Sequence, residues 1–355
     1  VYYLASSSAA KGNGIAYTAS ADLDLDHIVD YIYAGDLKGN VWRFDVTSQD
    51  PTKWAVSASS PLFTTPAGQP ITAGITVSTL KQLTTSSLGG EVIDNSKPER
   101  VIINFGTGQQ IPETTTAAAQ YASGQQYIFG IWDWDMNAPL TAAQPGWNAI
   151  SPSQQAVGLG SPQTITLSTL EQQTITTVTP AAPAQTYRTV SENPVCWVTP
   201  EPNDTSSMCP NPGTQFGWYM QLPGTDEQVV FNPTLSPDGE LVVNTYIPLQ
   251  DSPLSCSSTT SGTGFTMAIQ PGSGAGSTSG FFTIDTNNGS TTTANAADGV
   301  QLNGTGIPWF ISSGQKGDNN SEYLITQTSS GPAPPMATNR HVVVAGKRLN
   351  WVQRR

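Results

Sequence analysis

The sequence predicts an all-β fold, and the form it favours is a β-propeller occupying residues 1–355 as a single domain. Three observations carry this expectation. Thr, Val, Ile, Tyr and Trp, which suit a pleated and half-buried surface, fill the ordered-looking stretches. Glycine (33) and proline (27) interrupt the chain at short intervals, which leaves no room for a long amphipathic helix. A loose pattern also recurs: an apolar run, a Gly, a polar gap, then an aromatic run ending in Asp or Gly. A single small sheet cannot bury both faces, whereas sheets stacked radially can, with about six to eight blades expected here.

The clearest copy is "YIYAGDLKGNVWRFD" (31–45). Trp42 and Phe44 alternate with Val41, Arg43 and Asp45, which is the period of a strand. Gly39 and Asn40 suit the corner of a hairpin. "RVIINFGTGQQ" (100–110) and "QQYIFGIWDWD" (125–135) form a second copy with a longer gap. "FGWYMQLPGTDEQVVFNPTL" and "GELVVNTYIPL" read together as a third, and "TGFTMAIQPGSG", "GFFTIDTNNG" and "HVVVAGKRLNWVQ" continue the order. The stretches 111–120 and 270–280 read as loops between strands, and the Thr-rich stretch 164–190 as an inserted or poorly matched blade.

Composition removes several functions. The formal charge is −12 and the pI about 4.4, which opposes binding to a phosphate backbone, so no nucleic-acid partner is expected. No apolar run approaches the roughly 18 residues of a transmembrane helix. Val1 is followed by neither a basic region nor an apolar leader core, so the chain is expected to be a fragment or a processed product. Low Lys and abundant Ser/Thr point to a secreted protein. Four Asn-x-Ser/Thr sequons, Asn203 and Asn303 among them, would matter only in a glycosylating host. Cys196 and Cys209 flank a short loop and form the disulfide candidate, leaving Cys256 over. His27 and His341 are too far apart in sequence to assemble a Cys/His zinc site.

The chemistry concentrates in "DLDLDHIVD" (22–30). With Asp22 as position 1, acids fall at positions 1, 3, 5 and 9 as Asp22, Asp24, Asp26 and Asp30, and Ile28 sits at 7. A calcium loop of the EF-hand kind uses side chains at 1, 3, 5 and 9 and a backbone carbonyl at 7. Four converging carboxylates repel one another unless a hard divalent ion joins them, and all-oxygen ligation favours Ca2+. Position 6, usually Gly, is His27, which tolerates positive φ better than most residues. Position 12 is Tyr33, so no bidentate Glu closes the site and a strand follows instead of a helix. The competing reading is a solvated acidic turn. Asp36 in "GDLKGN" is expected to bond its own turn rather than a metal.

Enzyme readings find little footing. Asp133 and Asp135 of "WDWD" would share one strand face about 6.6 Å apart, but neighbours on one strand do not flank a bond from opposite sides. The expectation is a strand end with both acids facing water and Trp132 and Trp134 packed inward. A quinone-dependent dehydrogenase would call for an adjacent Cys pair, and these cysteines are separated. No Gly-x-Ser-x-Gly elbow and no phosphate loop occur. A secreted carbohydrate-binding propeller is the stronger alternative, because nine tryptophans could line a sugar groove.

The ordered blocks resemble the PilY/PilC proteins, tip-associated adhesins and biogenesis factors of type IV pili. "DYIYAGDLKGNVWRFDV" resembles their calcium-loop hairpin, "PLFTTPAGQPITAGITV" their approach to the strand "VIINFGTGQQI", and "QQYIFGIWD" follows in the same order. "GWYMQLPGTDEQVVFNPTLSPDGELVVNTYIP", "DSPLSCSSTTSGTGFTMAIQPGSG" and "RLNWVQRR" extend the likeness from about residue 15 to 355. The resemblance implies a modified, quinoprotein-like propeller of about seven blades. Its calcium ligands carry over to Asp22, Asp24, Asp26 and Asp30 and the Ile28 carbonyl, although Leu25 and His27 depart from the commoner Gly or Asn. It further implies a non-catalytic role in pilus extension against retraction, in twitching motility and in attachment to a host or abiotic surface. Minor pilins or the tip complex would be the partners, outside the cell. No Arg-Gly-Asp tripeptide occurs, so integrin-type adhesion has no support.

Overall fold

The computed structural model describes residues 12–23, 26–56, 61–85, 91–93, 99–111, 120–134, 164–179, 186–198, 209, 213–236, 239–248, 262–277, 280–285, 294–301, 308–316, 321–328, 331–332 and 336–338. Among them the regular structure is β-strand, with only three-residue 3-10 turns such as Pro51–Lys53 and Pro66–Gly68 and no α-helix. The strands gather into four sheets of five or six strands and two small ribbons.

The first sheet begins with β1 (Ile15–Ala21), β2 (Tyr31–Asp36) and β3 (Asn40–Asp45), all antiparallel, with Ala55–Val56 and Phe63–Thr64 both pairing β3. The β2–β3 corner spans three residues and needs a left-handed conformation at its end, which Gly39 takes with φ +79°. Asp36 organises that corner. Its carboxylate accepts the Lys38 and Asn40 backbone N–H groups, the side-chain amides of Asn13 and Asn40, and the Trp42 indole N–H.

The second sheet places the strands in the order Glu171–Gln173, Gly217–Gln221, Tyr127–Trp132, Arg100–Gly106, Thr76–Leu80. Only the first of these pairings is parallel. Its central strands, Arg100–Gly106 and Tyr127–Trp132, are buried at every position, as expected of a sheet covered on both sides. The third sheet runs Ile175–Val178, Tyr187–Val190, Gly299–Gln301, Phe265–Ile269, Leu241–Asn244, Thr234–Leu235. The fourth comprises Ala294–Ala297, Phe282–Asp285, Met336–Thr338, Ser321–Thr328 and Pro308–Lys316, with Gly331–Pro332 off the path.

Strand alternation explains the stacking. In the third sheet Leu241, Val243, Phe265, Met267 and Ile269 join the core shared with the first two sheets. The intervening Val242 and Ala268, with Tyr187 and Val300, face Phe281, Phe282 and Ala297 of the next layer. The third sheet therefore buries both faces, one against each neighbour. Phe63, Phe105 and Phe129 knit the first sheet to the second with ring centroids 5.1–6.1 Å apart. Trp218, wholly buried, ties the second sheet to the third. Its indole packs where a Cβ on Gly130 or Gly274 would stand, and its N–H donates to Pro271 O at 2.9 Å.

Two expectations change here. The stretches 216–235 and 239–249 are not one copy: Gly217–Gln221 belongs to the second sheet and Leu241–Asn244 to the third. Nor is 164–190 a stray blade. Glu171–Gln173 completes the second sheet and Ile175–Val178 opens the third, with Thr174 alone between them. Because the second, third and fourth sheets each draw strands from several sequence blocks, counting hairpins along the chain overstates the sheets. The described residues form four of them, against the seven blades the resemblance implies. The terminal block 341–353 lies outside the described residues.

Candidate metal centre

The aspartate stretch forms the loop of the β1–β2 hairpin. Ala21 and Tyr31 are register partners, and the Asp30 backbone N–H donates to Ala21 O at 2.8 Å, so the base of the loop is closed between them. β3 supports the same base, because the Val46 N–H donates to Asp30 O at 3.0 Å. Asp22 and Asp30 stand at the two feet of the loop, only 2% and 4% exposed, whereas Asp26, His27 and Ile28 at its crest are exposed. Asp24 and Leu25 lie outside the described residues.

The loop is shaped by its own carboxylates. Asp22 Oδ2 accepts the His27 N–H at 2.9 Å, Asp30 Oδ2 accepts the Leu23 N–H at 2.7 Å, and Asp26 Oδ1 accepts the Ile28 N–H at 2.7 Å. His27 adopts φ +74°, the left-handed conformation that glycine normally supplies at position 6 of a calcium loop. Asp22 Oδ1 is buried and accepts no hydrogen bond from any described residue. A buried carboxylate oxygen without a donor is costly, and a cation is the partner that offsets this for an acidic loop. Among the described residues no three His, Cys, Asp or Glu side chains are gathered closely enough to grip an ion. The feet of the loop and the conformation of His27 thus suit a cation, but the three described aspartates, Asp22, Asp26 and Asp30, are not drawn together around one point.

Beneath the loop lies a polar cluster that sequence reasoning missed. Asp133 was expected to face water and is instead 1% exposed. Its Oδ1 pairs with Arg43 Nη1 at 2.5 Å and its Oδ2 accepts the Tyr33 hydroxyl at 2.7 Å, so its charge is matched within the core. Trp132 and Trp134 do pack inward, and Asp135 lies outside the described residues. The Arg43 guanidinium lies over the Tyr31 ring, 5.5 Å from its centroid. Burial pushes the Tyr33 phenol well above its ordinary pKa, with the Asp133 charge adding to that rise and Arg43 opposing it. Burial alone would loosen the Arg43 proton, but the Asp133 carboxylate reverses this and the guanidinium pKa is raised. The available signal was an Arg at a strand position sharing one face with Val41 and Asp45, all three buried.

Two further features stand apart from the loop. Arg188 and Glu227 form a buried two-pronged pair at 2.6 and 2.7 Å, with the guanidinium 3.5 Å from the Phe265 ring centroid. Cys196 and Cys209 are joined as a disulfide with a Cα–Cα distance of 5.4 Å, and Cys256 lies outside the described residues.

The family model described as the PilY1 beta-propeller domain matches residues 6–163. The type IV pilus biogenesis factor PilY1 of Pseudomonas aeruginosa PAO1 is 30% identical over 245 residues, covering 67% of this chain and 18% of that protein. The chain belongs to the PilY/PilC family. The Xylella fastidiosa PilY1 homolog, also a type IV pilus biogenesis factor by name, is 28% identical over 147 residues, covering 39% of this chain and 8% of its own length. The chain therefore spans less than a fifth of the length of these curated family members. The crystal structure of the P. aeruginosa PilY1 C-terminal domain superposes with a TM-score of 0.59 at 22% identity, over 94% of this chain and 62% of that one. That likeness is one of fold, and together with the family model's description as a beta-propeller domain it places the stacked sheets in a β-propeller.

Proposed function

We propose that this chain is a calcium-binding, non-catalytic propeller of a type IV pilus biogenesis factor. Asp22, Asp24, Asp26 and Asp30 would supply side-chain oxygens and Ile28 its carbonyl. The ion would neutralise the clustered acids and lock the β1–β2 hairpin. The single observation that supports this most directly is the buried, donor-less Oδ1 of Asp22 at the foot of the loop. The 1-3-5-9 spacing and the left-handed His27 support it as well. No Glu stands at position 12, so the affinity belongs in roughly the micromolar to millimolar range.

Within the pilus system the braced propeller acts as a rigid binding body outside the cell. It contacts minor pilins or the tip complex, biases pilus extension against retraction, and contributes to surface attachment. Among the described residues no helix is long and apolar enough to cross a membrane.

The test is thermal unfolding in chelator and in millimolar Ca2+, with calorimetric titration of wild type and Asp30→Ala. Ion at about a hundred times its dissociation constant stabilises the native state by roughly 2.7 kcal/mol. A higher Tm with calcium is expected, together with loss of binding in Asp30→Ala and retention of its far-ultraviolet spectrum. An unchanged Tm, or undiminished uptake by the variant, overturns the assignment.

A further inference from the structure

We infer that Tyr33, Arg43 and Asp133 are positioning residues for the calcium loop, holding its C-terminal foot in place through the first strand that follows it. The inference rests on the calcium reading above and extends it to residues outside the loop.

Asp30 is the last proposed ligand, and Tyr31 directly after it opens β2. Tyr31 pairs in register with Asp45 and Tyr33 with Arg43, so these four side chains share one buried face of the hairpin. Asp133 approaches that face from the second sheet, one residue beyond the strand Tyr127–Trp132. Its backbone N–H donates to Val101 O at 2.9 Å, which fixes it to its own sheet. Its two carboxylate oxygens then hold one residue from each strand of the hairpin, Arg43 at 2.5 Å and Tyr33 at 2.7 Å. Arg43 in turn covers the Tyr31 ring, the immediate neighbour of Asp30.

Stability alone does not account for such a group. A buried ion pair can often be replaced by apolar side chains of like volume with little loss or even a gain. What it supplies is geometry, since a hydroxyl and a guanidinium on one carboxylate admit little sliding or rotation. An oxygen-ligated calcium site depends on that, because its ligands must sit about 2.3–2.6 Å from the ion. Residues that orient ligands without touching the metal commonly tune affinity. Any shift of β2 relative to β1 would carry Asp30 with it and spoil the match with Asp22 across the loop base.

The experiment compares the whole chain with three variants. Tyr33→Phe removes one hydroxyl and keeps the ring. Asp133→Asn removes the charge and nearly preserves shape. Glu227→Gln weakens the separate buried pair with Arg188 and reports what destabilisation alone does. Calcium affinity is measured by calorimetry, and amide hydrogen exchange at residues 30–33 is followed without calcium. Tyr33→Phe and Asp133→Asn are expected to weaken calcium binding by about fivefold or more and to speed exchange in apo β2. Glu227→Gln should lower the Tm without changing the affinity.

Equal affinities in Tyr33→Phe and wild type overturn the positioning role, as does an equal loss in Glu227→Gln. A wild type that binds no calcium overturns the metal reading. In that event unchanged exchange at 30–33 in apo Tyr33→Phe separately refutes the claim that the cluster holds the foot. Should Asp133→Asn fail to fold, Tyr33→Phe carries the test.

Discussion

Asp36 accepts hydrogen bonds from both sides of the β2–β3 corner, and its titration follows from those donors. Burial by itself would raise its pKa. The side-chain bonds from Trp42, Asn13 and Asn40 outweigh that, and the carboxyl sits below the ordinary 3.8. A folded-state value below the unfolded one stabilises the protein above the unfolded pKa, and this stabilisation is lost as the pH falls through the folded value. Asp36→Asn is therefore expected to cost about 1–3 kcal/mol near neutrality, because ionised acceptors are lost around buried donors. The same variant should lose less stability than wild type on acidification below about pH 4. Denaturant titrations of both proteins at stepped pH would check this. Parallel acid limbs would remove Asp36 from the account.

At the scale of the element, the loop depends on backbone conformation as much as on charge. His27 holds φ +74°, a region that disfavours β-branched side chains most strongly. His27→Ile should destabilise the hairpin by about 1–2 kcal/mol, whereas His27→Gly should be accepted with little change. Thermal melts of the two variants decide this, and equal Tm values would contradict it. Much of this element was legible in the sequence. The Lys-Gly-Asn corner, the strand alternation of 31–45 and the loop between β1 and β2 follow from local rules on turns and period. Asp133 was not legible, because its partners Tyr33 and Arg43 lie 100 and 90 residues away and only folding brings them together. The same holds for Arg188 and Glu227, whose pairing joins separate strand blocks. Local signals also do not say which sheet a strand joins, which is why 164–190 and 216–249, each continuous in sequence, divide between the second and third sheets.

Across the whole molecule, the stacked sheets share a core that runs through three of them, and a covalent tie reinforces one side. The Cys196–Cys209 disulfide spans 13 residues beside Trp197. That ring meets Trp132 edge-on at 5.9 Å, and Arg100 lies 4.7 Å from its centroid. Closing a loop of this size contributes about 3 kcal/mol. Replacing both cysteines with Ala should cost that amount and weaken the near-ultraviolet tryptophan signal, while calcium uptake stays intact. Loss of calcium binding on removing the disulfide would show the sheets to be more tightly linked than the separate placement of the two features implies.

Thr174 gives the architecture a mechanical property. The chain leaves the second sheet at Gln173 and enters the third at Ile175, so a tug on either one is handed to its neighbour across a single peptide step. There is no slack there to reel out. Under mechanical load the two sheets are expected to give way together, as one unit, rather than peel off in turn.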